Sequence, residues 1–284
     1  MAKLMSGREV NEALMARAAA KVSAAKERGV VPTLLIIRVG EKPGDLSYEK
    51  GALKKCDQAG IRVRVAAYPE EVTTGEMVSC IRQANEDPSV HGVLLFRPLP
   101  KTLDASLIEN ALRPEKDVDC MTDLSMSGVF QGKDLGFAPC TAQAVMEILD
   151  HYGVSLEGKR AVVIGRSSVI GKPAAMMLLK RNATVTICHT KTVDTMKIAR
   201  QADVLVAAAG HRDTVTEDFV KDGQVIVDVG INVGPDGKLC GDVNFEAAEK
   251  RASLITPVPG GVGAVTTTVL AMHVAEAALK AAVK

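Results

Sequence analysis

Residues Ala161-Val162-Val163-Ile164-Gly165-Arg166-Ser167-Ser168-Val169-Ile170-Gly171-Lys172-Pro173 decide how the chain is read. A short apolar run, a glycine turn and the start of an apolar helix bring bare backbone amides and a positive helix end toward one point, which suits a phosphate. The spacing is not the G-x-G-x-x-G of the usual dinucleotide turn, so a glycine-punctuated turn without a ligand stays open at this point. The next strand narrows the choice. An NAD site places Asp or Glu about 20 residues downstream to bind the ribose 2′-hydroxyl. Here the strand ends in Cys188-His189-Thr190-Lys191-Thr192, which holds no carboxylate. Arg166 in the turn, with Thr190 and Lys191, suits a 2′-phosphate and favours NADP, with NAD as the alternative; read blandly, Lys191 is a solvated surface lysine.

Working outward, strand and helix alternate on both sides of this turn. The N-terminal half reads as helix 6–27, strand 32–40, helix 47–58, strand 61–67, helix 74–85 and strand 92–96. A stretch rich in Pro, Gly, Asp and Ser follows from 98 to 139, with helical composition only at 103–112. The alternation resumes with helix 141–152, strand 160–164, helix 169–179, strands 184–188, 204–207 and 224–229, and a last helix from about 265 to 282. This pattern predicts an α/β chain of two domains with mostly parallel sheets. The expected division is 1–140 and 141–264, with the last helix packing back on the first domain. Asp228-Val229-Gly230-Ile231-Asn232 closes a buried strand at the end where ligands sit in open α/β sheets. Thr256-Pro257-Val258-Pro259-Gly260-Gly261-Val262-Gly263 is a rigid, side-chain-poor loop that lets backbone approach a flat ligand, or a simple tight turn.

Composition removes whole classes of function. The 284 residues carry 35 Lys+Arg against 34 Asp+Glu, 47% hydrophobic and 24% charged residues, which predicts a folded core and no extended nucleic-acid surface. Apolar runs such as 204–209 are too short to cross a bilayer, so no membrane partner is expected. The six cysteines form no C-x-x-C pair and no His cluster has metal-ligand spacing, so no metal site is expected and the thiols read as free in a reducing cytoplasm. The start of the chain has no apolar signal core, which leaves export unexpected.

Together these segments resemble the methylenetetrahydrofolate dehydrogenase/cyclohydrolase family. The resemblance rests on Gly165-Arg166-Ser167 with Gly171 and Pro173, on Asp228 to Asn232, on Gly241-Asp242-Val243 and on Thr256 to Gly263. Pro98-Leu99-Pro100, Asp117-Val118-Asp119 and Pro139-Cys140-Thr141 add to it from the N-terminal half. It implies a homodimer whose subunits hold a tetrahydrofolate one-carbon derivative in a cleft between an N-terminal catalytic domain and a C-terminal Rossmann-like domain. It implies hydride transfer from 5,10-methylenetetrahydrofolate to NAD(P)+, followed by hydration of the methenyl product. Tyr48 and Asp119 are then the catalytic and pterin-binding residues, with Pro259, Gly260 and Gly261 also at the substrate. Gly165, Arg166, Ser167, Gly171, Thr190 and Ile231 contact the dinucleotide. Without the resemblance, Tyr48 is a half-buried core tyrosine, Asp119 a capping or loop aspartate, and the rest turn residues.

Departures from the family pattern cluster in the catalytic half. The family's catalytic lysine, four residues after its tyrosine, is Ala52 here, and the glutamine that partners it is Phe96, followed by Arg97. The family's Gly-Phe-His-Pro after the aspartate is Cys120-Met121-Thr122-Asp123, the serine before the tyrosine is Asp45, and the loop ending Gly-Pro-Met-Thr is Gly263-Ala264-Val265-Thr266. Hydride transfer is a positioning task that needs no protein base, whereas hydration moves protons. The expectation is therefore a dehydrogenase whose cyclohydrolase activity is lost or severely reduced. A non-catalytic folate-binding or regulatory homologue, or a dehydrogenase for another one-carbon carrier, are the alternatives. Lys55, seven residues after Tyr48 and on the same helix face, is the one candidate substitute for the lost lysine; its bland reading is a solvent-facing lysine.

Overall fold

The computed structural model describes residues 2–283. Along the chain, β1 (Lys3–Leu4), α1 (Gly7–Glu27), β2 (Thr33–Val39), α2 (Pro43–Ala59), β3 (Arg62–Tyr68), α3 (Thr74–Glu86), β4 (Gly92–Leu95), α4 (Ala105–Glu109) and α5 (Asp123–Gln131) come first. Then follow α6 (Cys140–His151), β5 (Arg160–Ile164), α7 (Gly171–Lys180), β6 (Thr184–Cys188), α8 (Thr195–Ala199), β7 (Val204–Ala207) and β8 (Val225–Asp228). The chain ends with β9 (Asn232–Val233), β10 (Leu239–Cys240), α9 (Phe245–Glu249), β11 (Leu254–Ile255) and α10 (Val262–Ala281). The fold is α/β, with every pairing in its two larger sheets parallel.

Two compact units form: Met1–Asn11 with Thr141–Thr266, and Glu12–Cys140 with Thr267–Lys284. The first has a six-stranded sheet in the order β1-β11-β8-β7-β5-β6. Its N-terminal strand departs from a halving of the chain at residue 140, because Lys3 and Leu4 pair in parallel with Leu254 and Ile255 at the sheet's edge. Two residues carry too little periodicity to announce a strand. Val204–Ala207 are all buried in the middle of this sheet, which is why that strand reads as an unbroken apolar run.

The second unit has a three-stranded sheet, β3-β2-β4. Central β2 is buried along almost its whole length, and its Leu35, Ile37 and Val39 pack with Met77, Ile81, Val93 and Leu95. Helix α3 starts where its sequence says it should: Thr73 accepts from the Glu76 N–H and the Glu76 carboxylate accepts from the Thr73 N–H, a reciprocal cap.

Two expectations need correction. The helical stretch at 103–112 shrinks to Ala105–Glu109, started by the Asp104 side chain, which accepts from the Leu107 N–H. The 98–139 segment holds a second helix, α5, capped by Thr122 and stopped by left-handed Gly132; its sequence, Asp-Leu-Ser-Met-Ser-Gly, hides the helix behind residues typical of turns. Among the described residues, one helix, Val262–Ala281, is long and apolar enough to cross a membrane, with mean hydropathy 1.5, although it contains no long unbroken apolar run. Of that stretch 67% is buried within the protein, as expected for a core helix.

Candidate functional site

In the first unit, the residues singled out in the sequence follow the carboxyl ends of parallel strands and so lie along one sheet edge: Gly165 to Ser167 after β5, Thr190 after β6, Ile231 after β8 and Pro259 to Gly261 after β11. The turn after β5 is built by contacts that exclude side chains. Gly165 has φ +127°, and a β-carbon on it would stand 2.1 Å from the Ala208 carbonyl oxygen. A β-carbon on Gly171 would stand 2.3 Å from the Gly165 oxygen. The Ser167 hydroxyl accepts from the Ile170 N–H at 3.1 Å, shaping the head of α7. Arg166, Ser167 and Thr190 are exposed, and Ile231 is 65% exposed. Tight backbone with projecting polar groups at a helix start is what phosphate recognition requires.

Behind this edge sits a buried acidic lattice. Asp228 accepts from the N–H groups of Gly230, Asp242 and Val243 at 2.9–3.0 Å, and its own N–H donates to the Thr256 hydroxyl at 2.7 Å. Asp242 accepts from Ala209 N–H at 2.6 Å, Gly210 N–H at 2.9 Å and the Asn232 amide at 2.9 Å. Burial pushes the Asp228 carboxyl up to about 6, against the pull of its three amide donors. A β-carbon on Gly230 or Gly241 would collide with Asp242 or Asp228. The glycine-aspartate patterns at 228–232 and 241–243 are thus one structural device that fixes the loops after β7 and β8. At the PGG loop, Gly260 has φ +101° and its carbonyl accepts from the Gly7 N–H at 2.8 Å.

In the second unit, Tyr48 and Ala52 lie on α2. Proline near its start and left-handed Gly60 at its end bound this helix, and Ala52, Cys56 and Ala59 form its buried stripe. Ala52 is fully buried, and burial among apolar groups pushes the Cys56 thiol up to about 12. Phe96 directly follows β4 and is 8% exposed; its ring meets half-buried Tyr48 edge-on, with centroids 5.9 Å apart and planes at 85°. The two substituted positions are therefore a methyl group inside the fold and an aromatic ring lying against the tyrosine. Lys55 is half-buried one turn beyond Ala52.

Asp119 and Arg97 also meet in this unit. One Asp119 oxygen accepts from the Cys140 N–H at 3.1 Å, and the other lies 3.8 Å from an Arg97 guanidinium nitrogen. Fully buried Asp117 accepts from the N–H groups of Met121 and Thr122 at 2.9 Å each, holding the turn that follows. Cys120, where the family pattern has glycine, keeps a left-handed φ of +56°. No cluster of metal-ligating side chains is present among the described residues.

Residues 5–119 match the tetrahydrofolate dehydrogenase/cyclohydrolase catalytic domain, and residues 139–282 match the NAD(P)-binding domain of the same proteins. The chain belongs to the tetrahydrofolate dehydrogenase/cyclohydrolase family. The bifunctional protein FolD of Alkaliphilus oremlandii is 48% identical over 277 residues, which is 98% of this chain and 97% of that protein. The crystal structure of the bifunctional enzyme FolD from Campylobacter jejuni aligns with TM-score 0.95 and 39% identity over 98% of this chain and 99% of the other. A Trypanosoma brucei methylenetetrahydrofolate dehydrogenase-cyclohydrolase, solved in complex with NADP cofactor and inhibitor, aligns with TM-score 0.91 and 34% identity over 100% and 99%. Membership makes this chain an oxidoreductase of folate one-carbon metabolism with a Rossmann-like NAD(P)-binding domain.

Sequence reasoning did not find the pairing of Arg97 with Asp119 or the Asp228–Asp242 lattice. The first had one signal, a charged residue in an otherwise apolar proline-rich segment. The second had none, because the spacing of two aspartates does not reveal which backbone amides face them.

Proposed function

We propose that this chain oxidises 5,10-methylenetetrahydrofolate to 5,10-methenyltetrahydrofolate with NADP+, and that its cyclohydrolase activity is lost or severely reduced. The observation that carries this reading is fully buried Ala52, four residues after Tyr48 on α2, together with the Tyr48–Phe96 ring pair, where the family pattern has lysine and glutamine.

Gly165, Arg166, Ser167, Gly171, Thr190 and Ile231 would hold the dinucleotide, and the fit rests on bare backbone at Gly165 and Gly171 with an exposed Arg166 beside it. The nicotinamide cofactor, when bound, accepts the hydride that leaves the methylene carbon. Tyr48 packs against the pterin side of the folate, and Asp119 accepts hydrogen bonds from the ring. Neither residue has to remove a proton for this step, so the loss of the lysine leaves it feasible. Hydration is different. It needs a group that gives and takes a proton beside the methenyl carbon, and neither a methyl nor a phenyl group can do so. Lys55 is a poor substitute, because seven helical residues separate it from Tyr48 by roughly 10 Å of axial rise.

A cytoplasmic setting is supported by six cysteines that are all free. The homodimer implied by the family resemblance is supported by the unpaired outer edge of β3, where Val65 is 43% exposed.

The test supplies purified protein with methylenetetrahydrofolate and either NADP+ or NAD+. Reduced nicotinamide forming only when both substrates are present, faster with NADP+, is the expected result; folate binding without any reduction would leave a non-catalytic binding protein instead.

A further inference from the structure

The family's Leu-Pro-Leu-Pro segment begins here with Arg97-Pro98-Leu99-Pro100, so a guanidinium occupies a position that the pattern fills with an aliphatic side chain. Its side chain is only 24% exposed and that of Asp119 only 28%. Partly buried charges of this kind normally satisfy one another through close, bidentate contacts. This pair does not. The nearest approach is 3.8 Å, too long for a hydrogen bond, and among the described residues that contact is the sole polar partner of the guanidinium. Asp119 is likewise half used: one oxygen accepts from the Cys140 N–H while the other faces Arg97. The result is a fixed acceptor beside a fork of unused donors.

Arg97 is not a replacement for the missing lysine. A guanidinium stays charged at every working pH and cannot carry protons, so it restores a cation without restoring the acid/base function. What it can do is recognise. A pterin ring presents adjacent N–H and C=O groups on one edge, a pattern matched by an acceptor next to a donor.

We propose that Arg97 is a specificity-determining residue of the folate site, donating to the 4-oxo oxygen of the pterin while Asp119 accepts from the neighbouring ring N–H and amino group. This rests on the folate reading of the site. The positions around Arg97 agree with it. Phe96, its chain neighbour, lies against Tyr48. Asp117 fixes the backbone just after Asp119, and the Cys140 N–H fixes the Asp119 carboxylate, so the acceptor is held in place without help from the cation. Glu109 is near enough that Arg97 opposes the upward shift that burial gives its carboxyl.

The experiment measures equilibrium binding of tetrahydrofolate and of its 4-amino-4-deoxy analogue, which replaces the acceptor oxygen with a donor, to the wild type, Arg97→Leu and Arg97→Lys. NADP+ binding to each variant reports that the protein is folded. The wild type should favour the 4-oxo ligand by about ten- to a hundredfold, the scale of one charge-assisted hydrogen bond. Arg97→Leu should narrow the preference about tenfold, mainly by weakening the 4-oxo ligand, the remainder resting on Asp119 because the 4-amino analogue also lacks the ring N–H it accepts from, and Arg97→Lys should narrow it less. If Arg97→Leu does not fold, the proposal stands or falls on whether Arg97→Lys narrows the ratio. An unchanged ratio, or an equal loss for both ligands, overturns the role of Arg97 and leaves the folate reading intact. Failure of the wild type to bind either pterin overturns the folate reading and this inference with it.

Discussion

The two units respond differently to sequence change. In the first, the candidate dinucleotide edge is made of backbone: glycines whose β-carbons would strike carbonyl or carboxylate oxygens, and two buried aspartates that bind amides rather than side chains. Substitution of Gly165, Gly171, Gly230 or Gly241 meets a wall of carbonyl or carboxylate oxygen. In the second, the candidate site is made of side chains standing on a helix and at strand ends. Those are open to exchange in concert: Ala52, Phe96 and Arg97 stand where the family resemblance implies lysine, glutamine and leucine, with Ala52 buried and the Phe96 ring against Tyr48. A backbone site holds its chemistry as long as the fold holds. A side-chain site can lose one reaction and keep another.

The strongest challenge to that contrast is Asp228→Asn. Its amide nitrogen would face a backbone donor, Val243 N–H, that the carboxylate now satisfies, and the loss should be about 3 kcal/mol of stability in denaturant unfolding. The wild type should also carry a pH signature. Asp228 titrates near 6 when folded, above the ordinary value of 3.8, so the folded state holds a proton that the unfolded chain has released. This group's contribution is therefore complete below about pH 4 and disappears as pH rises through about 6. Asp228→Asn should flatten that part of the profile. A well-folded variant with unaltered stability and slope would show that the lattice does not hold the edge.

Arg166→Ala gives a smaller and more selective effect. Exposed Arg166 projects from the rigid turn, so its removal should leave stability within about 0.5 kcal/mol. It should weaken NADP more than NAD by about 1 to 3 kcal/mol, the worth of a charge-assisted hydrogen bond to the 2′-phosphate. Equal losses for both cofactors would mean that Arg166 does not read the phosphate.

Legibility in the sequence follows the same division. Strands 160–164 and 204–207 were readable to the residue, because apolar runs inside a parallel sheet end where the glycine and polar turns begin, and edge strand 184–188 because its β-branched residues alternate. The two-residue strand Lys3–Leu4 and helix α5 were not, since the first owes its state to Leu254–Ile255 far along the chain and the second carries Ser and Gly at interior positions. At the candidate site, the substitutions at 52 and 96 were visible, but that one ring closes on Tyr48 while the other position is sealed in the core was not. Burial is a property of neighbours distant in sequence, as Thr267 near Gly51 illustrates.

The most direct measurement of the central claim is the hydrolysis of methenyltetrahydrofolate, followed for the spontaneous reaction, the wild type, Lys55→Ala and Ala52→Lys with Phe96→Gln. Restoring both residues together matters, because the family pattern pairs the lysine with the glutamine. The wild type should run close to the spontaneous rate, about 10²- to 10⁴-fold below an enzyme with a positioned acid/base group, and the double variant should recover part of that factor. Wild-type hydrolysis far above the spontaneous rate would contradict the claim, and its loss in Lys55→Ala would assign the proton chemistry to that lysine.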